Sequence, residues 1–374
     1  MSAPKDTHAQ SGGASTRASE SRLLEIRREA ESKGRVTSPP QGLSLPPNSV
    51  QTPGYYGVPV LKQPPWTWEI PAYLFVGGAA GAAAVIAGIG RVCDANPRLI
   101  RDAWRLAAAG GLVSPVLLTS DLGRPSRFLA MFRVFKARSP MSIGAWTLLF
   151  FSGPAAASAV LPELHRSGLP ARLVGSVSHA AAALSGLALS TYTGVLLGAT
   201  AIPVWAENAA ILPVHFGASG LGSAVSLLEL AGHELNPSLN ALGIAAAITE
   251  TAVGGLIEVR SKPALDPLKK GSSGHMARVG GLLSGPVPLL LRLLAGASTG
   301  KGSKTLLRVA AASTVAGSLL TRIAWVEAGK ASARDPRVPL KLAVPPERTA
   351  LGGKQQVATL LGGEGATPRS QEGP

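Results

Sequence analysis

Apolar residues in this chain form eight long blocks, most of them about the 20 residues that an α-helix needs to cross a bilayer. Glycine, alanine and serine crowd the blocks, as in AYLFVGGAAGAAAVIAGIG, and these small residues permit close approach between helices in lipid. The first block has no charge on any face, which disfavours a soluble all-helical protein. The pattern predicts an all-α integral membrane protein, a bundle of about eight transmembrane helices at about 70–90, 103–120, 141–161, 173–199, 209–230, 238–257, 276–295 and 305–326.

Polar segments flank the apolar blocks at both ends. Residues 1–52 are rich in Ser, Gly, Pro and charge, and lack the apolar content to form a core. We therefore predict a disordered N-terminal extension containing one short exposed helix, a bundle over residues 53–330, and a flexible C-terminal tail over 331–374. The first 60 residues contain no apolar core preceded by basic residues, so no classical cleavable signal peptide is expected.

The chain carries a formal net charge of +15, yet only 15% of its residues are charged. Basic residues lie in the tails and between the blocks, as expected of loops beside anionic lipid, and no base-stacking aromatics accompany them, which disfavours nucleic-acid binding. More Lys and Arg lie on the side of the tails than on the other side. We expect a multi-pass protein of the cell inner (cytoplasmic) membrane with cytoplasmic tails.

Recognisable catalytic and metal-binding motifs are absent from the sequence. There is no Walker loop, no GxSxG, no HExxH and no Cys/His metal spacing, so no metal site is predicted. A single cysteine, Cys93, excludes a cysteine-ligated iron–sulfur cluster built from this chain alone. An intramembrane bis-histidine haem is disfavoured because only His215 lies in the polar layer described next.

Several polar residues share one membrane depth. Because successive helices alternate in direction, Asp121, Tyr192, His215 and Glu250 all fall in the tail-side half, whereas His179 belongs near the opposite face. Ionisable residues inside a membrane are costly and are candidates for function. An acid, a phenol and an imidazole at one depth could exchange protons with a lipid-soluble ligand such as a quinone.

Structural interpretations of the same residues remain open. Asp121 could be a helix cap or an ion-pair partner, Tyr192 an interfacial anchor, and His215 a packing residue. Glu250 could pair with Arg322 or a neighbouring backbone. The arginine-rich loop could serve topology and lipid headgroups. Glu229 and Glu258, at helix ends, are expected to be solvated.

Four stretches together resemble the NrfD/PsrC-like family, the membrane subunits of polysulfide reductase and related complexes. They are DLGRPSRFLAMFRVFKARSPMSIGAW, TYTGVLLGATAIPVW, ILPVHFGASGL and GSLLTRIAWVEAGKASARDP. PGYYGVPVLKQPPW is similar to a variant with a long N-terminal extension, often associated with formate-dehydrogenase-type systems. The resemblance covers roughly residues 53–338.

The resemblance implies a subunit without a redox centre of its own that exchanges electrons between menaquinone or ubiquinone and a ferredoxin-like four-iron protein. That partner would connect to a molybdopterin-type catalytic subunit in electron transport of the kind used in anaerobic respiration. Asp121 and Tyr192 match an acid and a tyrosine at the family's quinone site, and are the predicted catalytic pair. Arg124, His215 and Glu250 complete our predicted quinone site. His215 stands where we expect an aliphatic residue in the family, so its role is our own inference.

The arginine-rich loop would also dock the iron–sulfur partner, through Arg124, Arg127, Arg133, Lys136 and Arg138. Two other functions remain open. One is a membrane anchor or ion-translocating subunit without quinone chemistry, although beyond His179 the half of the bundle away from the tails offers few polar residues. The other is a secondary transporter, for which no inverted repeat is evident.

Overall fold

The computed structural model describes residues 61–121, 128, 132–161, 169–298 and 300–335, with residues 25, 28 and 29 near the N-terminus. Glu25, Arg28 and Glu29 are helical and exposed, in the region where a short helix was predicted. The disorder predicted for most of 1–52 and for the end of the chain lies outside the described residues. So do Arg124 and Arg127 of the predicted docking loop.

Nine helices of eleven residues or more make up the bundle, and the described residues contain no strand. The helix α5 continues into a π-helical turn, Glu229–His233. Shorter helical segments at Pro203–Ala206, Pro263–Leu265 and Asp266–Lys269 connect the long helices. The nine helices are α1 Glu69–Val92, α2 Pro97–Ser120, α3 Pro140–Val160, α4 Leu169–Gly198, α5 Leu212–Leu228, α6 Pro237–Val259, α7 Gly271–Ser284, α8 Pro286–Gly296 and α9 Lys301–Arg334.

The prediction of an all-α membrane protein is confirmed. Among the described residues, six helical segments are long and apolar enough to cross a membrane, namely α1, α3, α4, α6, α9 and the stretch Gly271–Gly296 that contains α7 and α8. The two other predicted spans are also helical but fall outside this set: α2 carries charged residues through its first turns, and α5 has 17 residues before its π-helical turn.

A proline breaks the seventh predicted span into two helices. The amide of Gly285 closes α7 by donating to the carbonyl of Gly281 at 2.9 Å. Pro286 then begins α8, because proline has no N–H to continue the α7 ladder but suits the first position of a helix. Among the described residues, the weak seventh block is therefore two helices, α7 and α8, that together form one candidate span.

The starts of three helices follow from local sequence. Asn96, Ser139 and Asn236 each accept a hydrogen bond from a backbone amide in the first turn of α2, α3 and α6, and each is followed at once by a proline. A polar cap followed by proline is the strongest helix-start signal a sequence can carry, since it satisfies a free amide and presets the first φ angle. These caps lie at the two surfaces of the bundle.

The helices pack as two groups. Helices α1 to α4 form one group and α5 to α9 the other. Helix α5 joins them, because it packs against α1 and α4 as extensively as against α6 and α9, and α1 also contacts α9. Small residues permit the closest approaches: a Cβ on Gly81 of α1 would overlap the backbone carbonyl of Gly186 in α4, and the reverse also holds. The junction of the two groups passes through the tail-side half, where the predicted site lies.

Helix α9 continues to Arg334, four residues into the segment that was predicted to be a flexible tail. The last turns of α9 are held by the short helix Pro203–Ala206. The indole N–H of Trp205 donates to the carbonyl of Trp325 at 2.9 Å, and the hydroxyl of Ser332 accepts from the amide of Val204 at 3.2 Å. Tertiary contacts thus order residues that composition alone assigns to a tail.

Candidate functional site

A cavity of about 460 Å³ lies in the tail-side half of the second helix group. The start of α5, the end of α6, α7 and the end of α9 form its walls, which are largely apolar. The buried polar groups are His215, Glu250 and Thr321, with Thr251 beside them, and the exposed ion pair Glu258–Arg278 also lines the cavity. An apolar cavity with a few convergent polar groups is the usual form of a small-molecule site.

His215 and Glu250 meet in this cavity. His215 Nδ1 lies 3.5 Å from Glu250 Oε2, and the hydroxyl of Ser284 donates to the same oxygen at 3.1 Å. His215 is 4% exposed and Glu250 is 3% exposed. Burying an acid in this way is expensive, so the pair is a candidate for function rather than an ordinary surface contact.

Two buried oxygen atoms of the cavity residues lack a hydrogen-bond partner among the described residues: Glu250 Oε1 and Thr321 Oγ1. Nearly all buried polar atoms in proteins are paired, either within the protein or with a bound molecule. The two orphans therefore leave one acceptor and one hydroxyl for a ligand that enters the cavity. Ser284 and Thr321 were missed in the sequence because serine and threonine occur throughout the apolar blocks.

Glycines leave one side of the cavity open. Gly254 and Gly255 of α6 and Gly281 of α7 line it, and a Cβ added at any of them would meet nothing within 4 Å. Gly254 and Gly255 are exposed, and so is the neighbouring Leu282, which also lines the cavity. In a membrane protein this exposed apolar face meets lipid, so the opening suits a ligand that arrives from the bilayer.

Arg322 occupies the junction between the two helix groups. Its Nε donates to the carbonyl of Leu74 in α1 at 3.0 Å, and its Nη1 donates to the hydroxyl of Ser219 in α5 at 2.7 Å. The guanidinium also lies over the rings of Phe75 and Phe216. The sequence left open whether Arg322 pairs with Glu250 or with a neighbouring backbone. In the structure Arg322 bonds to backbone carbonyl and hydroxyl groups, and Glu250 lies beside His215.

Asp121 and Tyr192 lie outside this cavity. Asp121 follows α2 as its C-cap, and its carboxylate accepts from the backbone amide and the hydroxyl of Thr67 at 3.4 and 3.2 Å. Tyr192 is buried, donates its hydroxyl to the carbonyl of Pro140, and packs its ring against Gly144. The structure thus brings His215 and Glu250 together, and it places Asp121 and Tyr192 on the first helix group.

Residues 59–236 match a protein-family model described as polysulphide reductase, NrfD. Over this stretch, just under half of the chain, the sequence is similar to the NrfD family. The resemblance read from the sequence is thereby confirmed, and the chain is a multi-pass membrane subunit of the oxidoreductase type. No curated protein matches it. Asp121, Tyr192 and His215 fall within the matched residues, whereas Glu250 and the α7 wall of the cavity lie beyond them.

The described part of the predicted docking loop is strongly basic and exposed. Arg133, Lys136 and Arg138 precede α3, and none forms an ion pair within the portion of the chain that the structure covers. Phe135, 57% exposed, lies among them and contacts the ring of Trp146. Unneutralised cations beside an exposed aromatic residue form a surface suited to an acidic partner.

The expectation that Glu229 is solvated was wrong. Glu229 is 0% exposed and forms a two-pronged ion pair with Arg292 of α8, with Nη1–Oε1 at 2.6 Å and Nη2–Oε2 at 2.8 Å. Asn240 accepts a further bond from Arg292 at 3.3 Å. Glu258 is exposed, as expected, and pairs with Arg278 at 2.8 Å. One sequence feature could have indicated this pair. Arg292 is a single arginine in an apolar block, and a buried arginine needs a buried anion beside it.

A second polar group lies at the same end of the bundle, around Glu234 in the segment between α5 and α6. The carboxylate of Glu234 contacts Lys304 Nζ at 2.8 Å and Arg308 Nη2 at 3.1 Å, and the hydrogen bond from Lys304 holds the pKa of Glu234 below its usual range. This stabilisation is present above the unfolded-state pKa and is lost as pH falls through the lower folded-state pKa. Across the described ranges, no group of three or more His, Cys, Asp or Glu is placed to hold a metal ion.

Proposed function

We propose that this chain is the quinone-interacting subunit of a multi-subunit oxidoreductase, exchanging electrons between a membrane quinone (menaquinone or ubiquinone) and an iron–sulfur partner. The observation that carries the proposal is the tail-side cavity. It combines apolar walls, an opening on the lipid-facing side, and a buried acid beside an imidazole. A quinone headgroup needs this combination, because its ring is apolar and its two oxygens gain or lose protons.

The chain's own residues would handle the protons. When a quinol is oxidised it loses two electrons and two protons, and the electrons leave to the iron–sulfur partner. Glu250 Oε1, which has no hydrogen-bond partner among the described residues, would accept one proton from a quinol hydroxyl, and the imidazole of His215 beside it would take up the other. The Thr321 hydroxyl would orient the ring. Quinone reduction would use the same groups in reverse.

Asp121, Tyr192 and Arg124 enter the proposal through the family resemblance. Asp121 lies at the tail-side surface, and Tyr192 about two turns into α4 from its tail-side end. We propose that these residues form the proton-exchanging part of a quinone position on the first helix group, which a headgroup would occupy before or after the main cavity. Their contacts with Thr67 and Pro140 would then be exchanged for contacts with the quinone.

The partners follow from the same reasoning. A ferredoxin-like subunit carrying four-iron clusters would dock on the basic surface of Arg133, Lys136 and Arg138, together with Arg124 and Arg127, and would pass electrons to or from a molybdopterin-type catalytic subunit. The chain would reside in the inner membrane with its tails in the cytoplasm, because Lys and Arg concentrate on that side. The N-terminal extension resembles a variant associated with formate-dehydrogenase-type systems.

Photolabelling with an azidoquinone tests the cavity directly. The purified complex in lipid nanodiscs is illuminated with the probe, and labelled peptides are identified by mass spectrometry. We expect labelling at residues 250–258 and 277–286, suppressed by excess unmodified quinone. Gly254→Trp should fill the opening and abolish this label, whereas Gly153→Trp, at an exposed glycine of α3 with equal space around it, should not.

The position of the label distinguishes the tail-side cavity from the proposed quinone position at Asp121 and Tyr192. Competable label confined to peptides containing Asp121 or Tyr192 would move the headgroup to the first helix group. Labelling that excess quinone does not suppress would remove quinone from the proposal.

Ion translocation is the second candidate, because the half of the bundle away from the tails is more polar than the sequence indicated. The buried pair Glu229–Arg292 and the bonded Asn240 lie there, on the helices that also form the cavity. Proteoliposomes with the quinone site blocked should form no membrane potential if quinone chemistry drives the complex. A potential formed under that block would favour translocation without quinone.

A further inference from the structure

A second cavity, of about 200 Å³, lies at the opposite face of the bundle from the tails. It is enclosed by the end of α1, the start of α2, the end of α3 and the first half of α4. The quinone chemistry proposed above makes no use of it. Its polar lining consists of Arg91, Arg101, Arg105, Trp104, Ser158 and His179.

Two buried donors of this cavity have no hydrogen-bond partner within the described residues. They are the indole N–H of Trp104, whose side chain is 2% exposed, and the hydroxyl of Ser158, which is 1% exposed. His179 packs edge-on against Trp104, and its Nδ1 bonds to the carbonyl of Gly175. Two orphaned donors in one cavity point to an acceptor that binds from outside the chain.

The arginines of the cavity indicate that this acceptor is negatively charged. Arg91 and Arg101 are exposed and form no ion pair with any residue that the structure covers. Asp102, the nearest acid on α2, is already shared among Arg98, Arg105 and His233. The cavity mouth therefore carries uncompensated positive charge, and arginine is the side chain best suited to phosphate geometry.

Exposed apolar side chains beside the cavity indicate that the anion is attached to a hydrocarbon group. Ile89 and Val92 of α1 are 59% and 83% exposed, and Val174 and Val177 of α4 are 55% and 67% exposed. These helices also contribute Arg91 and His179 to the cavity. A ligand with a phosphate at the arginines and hydrocarbon along these helices would match both features.

We propose that this cavity binds the phosphate group of an anionic phospholipid headgroup. The phosphate lies against Arg91 and Arg101 and accepts from the indole of Trp104 and the hydroxyl of Ser158, while the acyl chains run along the exposed apolar side chains of α1 and α4. Free phosphate offers the same charged group without the hydrocarbon. The apolar flank favours the lipid.

Native mass spectrometry of the full-length protein released from nanodiscs tests this site. We expect phosphatidylglycerol to remain bound about tenfold more than phosphatidylcholine. Arg91→Gln/Arg101→Gln should reduce bound phosphatidylglycerol to the phosphatidylcholine level. Trp104→Phe keeps the ring and removes one N–H donor to an anion, so it should weaken binding roughly three- to tenfold. Arg98→Gln, on α2 but outside the cavity lining, is the matched control and should bind as the parent does.

Three outcomes would overturn the assignment. Equal retention of the two lipids by the parent protein would remove the anionic preference. A loss with Arg98→Gln equal to that of the double variant would reduce the effect to general surface charge. Occupancy by inorganic phosphate that displaces phosphatidylglycerol at millimolar concentration would make the occupant a soluble anion instead of a lipid.

Discussion

Glu229→Gln should lower the free energy of unfolding by about 3–5 kcal/mol, the cost of leaving a buried charge without its partner. Glu229 and Arg292 are 0% and 1% exposed and join through two short hydrogen bonds. Glutamine has nearly the same shape, so it removes the negative charge while leaving the packing intact. The measurement is reversible unfolding of the purified protein in mixed micelles, followed by circular dichroism.

Two control variants separate the buried charge from other effects. Glu229→Leu combined with Arg292→Leu removes both charges and should recover much of the loss, since an apolar pair of similar volume is often as stable as a buried ion pair. Glu258→Gln breaks the exposed pair with Arg278 and should cost less than about 1 kcal/mol. A loss below 1 kcal/mol for Glu229→Gln would show that the Arg292 charge reaches water.

Glu250→Gln should lower quinol-coupled turnover at least tenfold while the complex stays assembled. The amide keeps the size of the side chain and its contact with Ser284, but it cannot take up a proton. General acid–base groups contribute about 10²–10⁴-fold to rate, so a tenfold loss is a lower bound. The measurement is electron transfer from a soluble quinol to the partner complex, with the Michaelis constant determined separately to distinguish proton transfer from binding.

Two further variants make this result specific. Glu207→Gln removes another tail-side acid, one that pairs with Lys262 and lies outside the cavity, and should leave turnover within about twofold of the parent, because a surface ion pair contributes little. Asp121→Asn tests the position implied by the family resemblance. A large loss with Asp121→Asn and none with Glu250→Gln would place the proton chemistry on the first helix group.

The sequence predicted the membrane fold well because the bilayer imposes a length and an apolar composition on each span. The blocks at 70–90 and 141–161 differ by only a residue or two at either end from α1 and α3. Prediction was weaker where a local feature competes with hydropathy. Pro286 divides the seventh span, and contacts of Trp205 and Ser332 extend α9 beyond the composition boundary.

The candidate site was only partly accessible from sequence. Depth along each helix follows from residue number, so the tail-side layer containing His215 and Glu250 could be found. The neighbour that each side of a helix faces cannot be predicted from residue number, because blocks this uniformly apolar show no distinct polar face. The sequence therefore could not separate the cavity pair from Asp121 and Tyr192, which share the layer but belong to the other helix group.

The membrane class, the approximate spans and the depth of each polar residue could be predicted from residue order, because these depend on local length, composition and chain direction. The pairing of distant residues could be seen only in the folded bundle. Glu229 pairs with Arg292, 63 positions away in the chain, and His215 on α5 lies beside Glu250 on α6. Such pairings depend on helix rotation and packing, and in a bundle rich in Ala and Gly these are set by where backbones approach most closely.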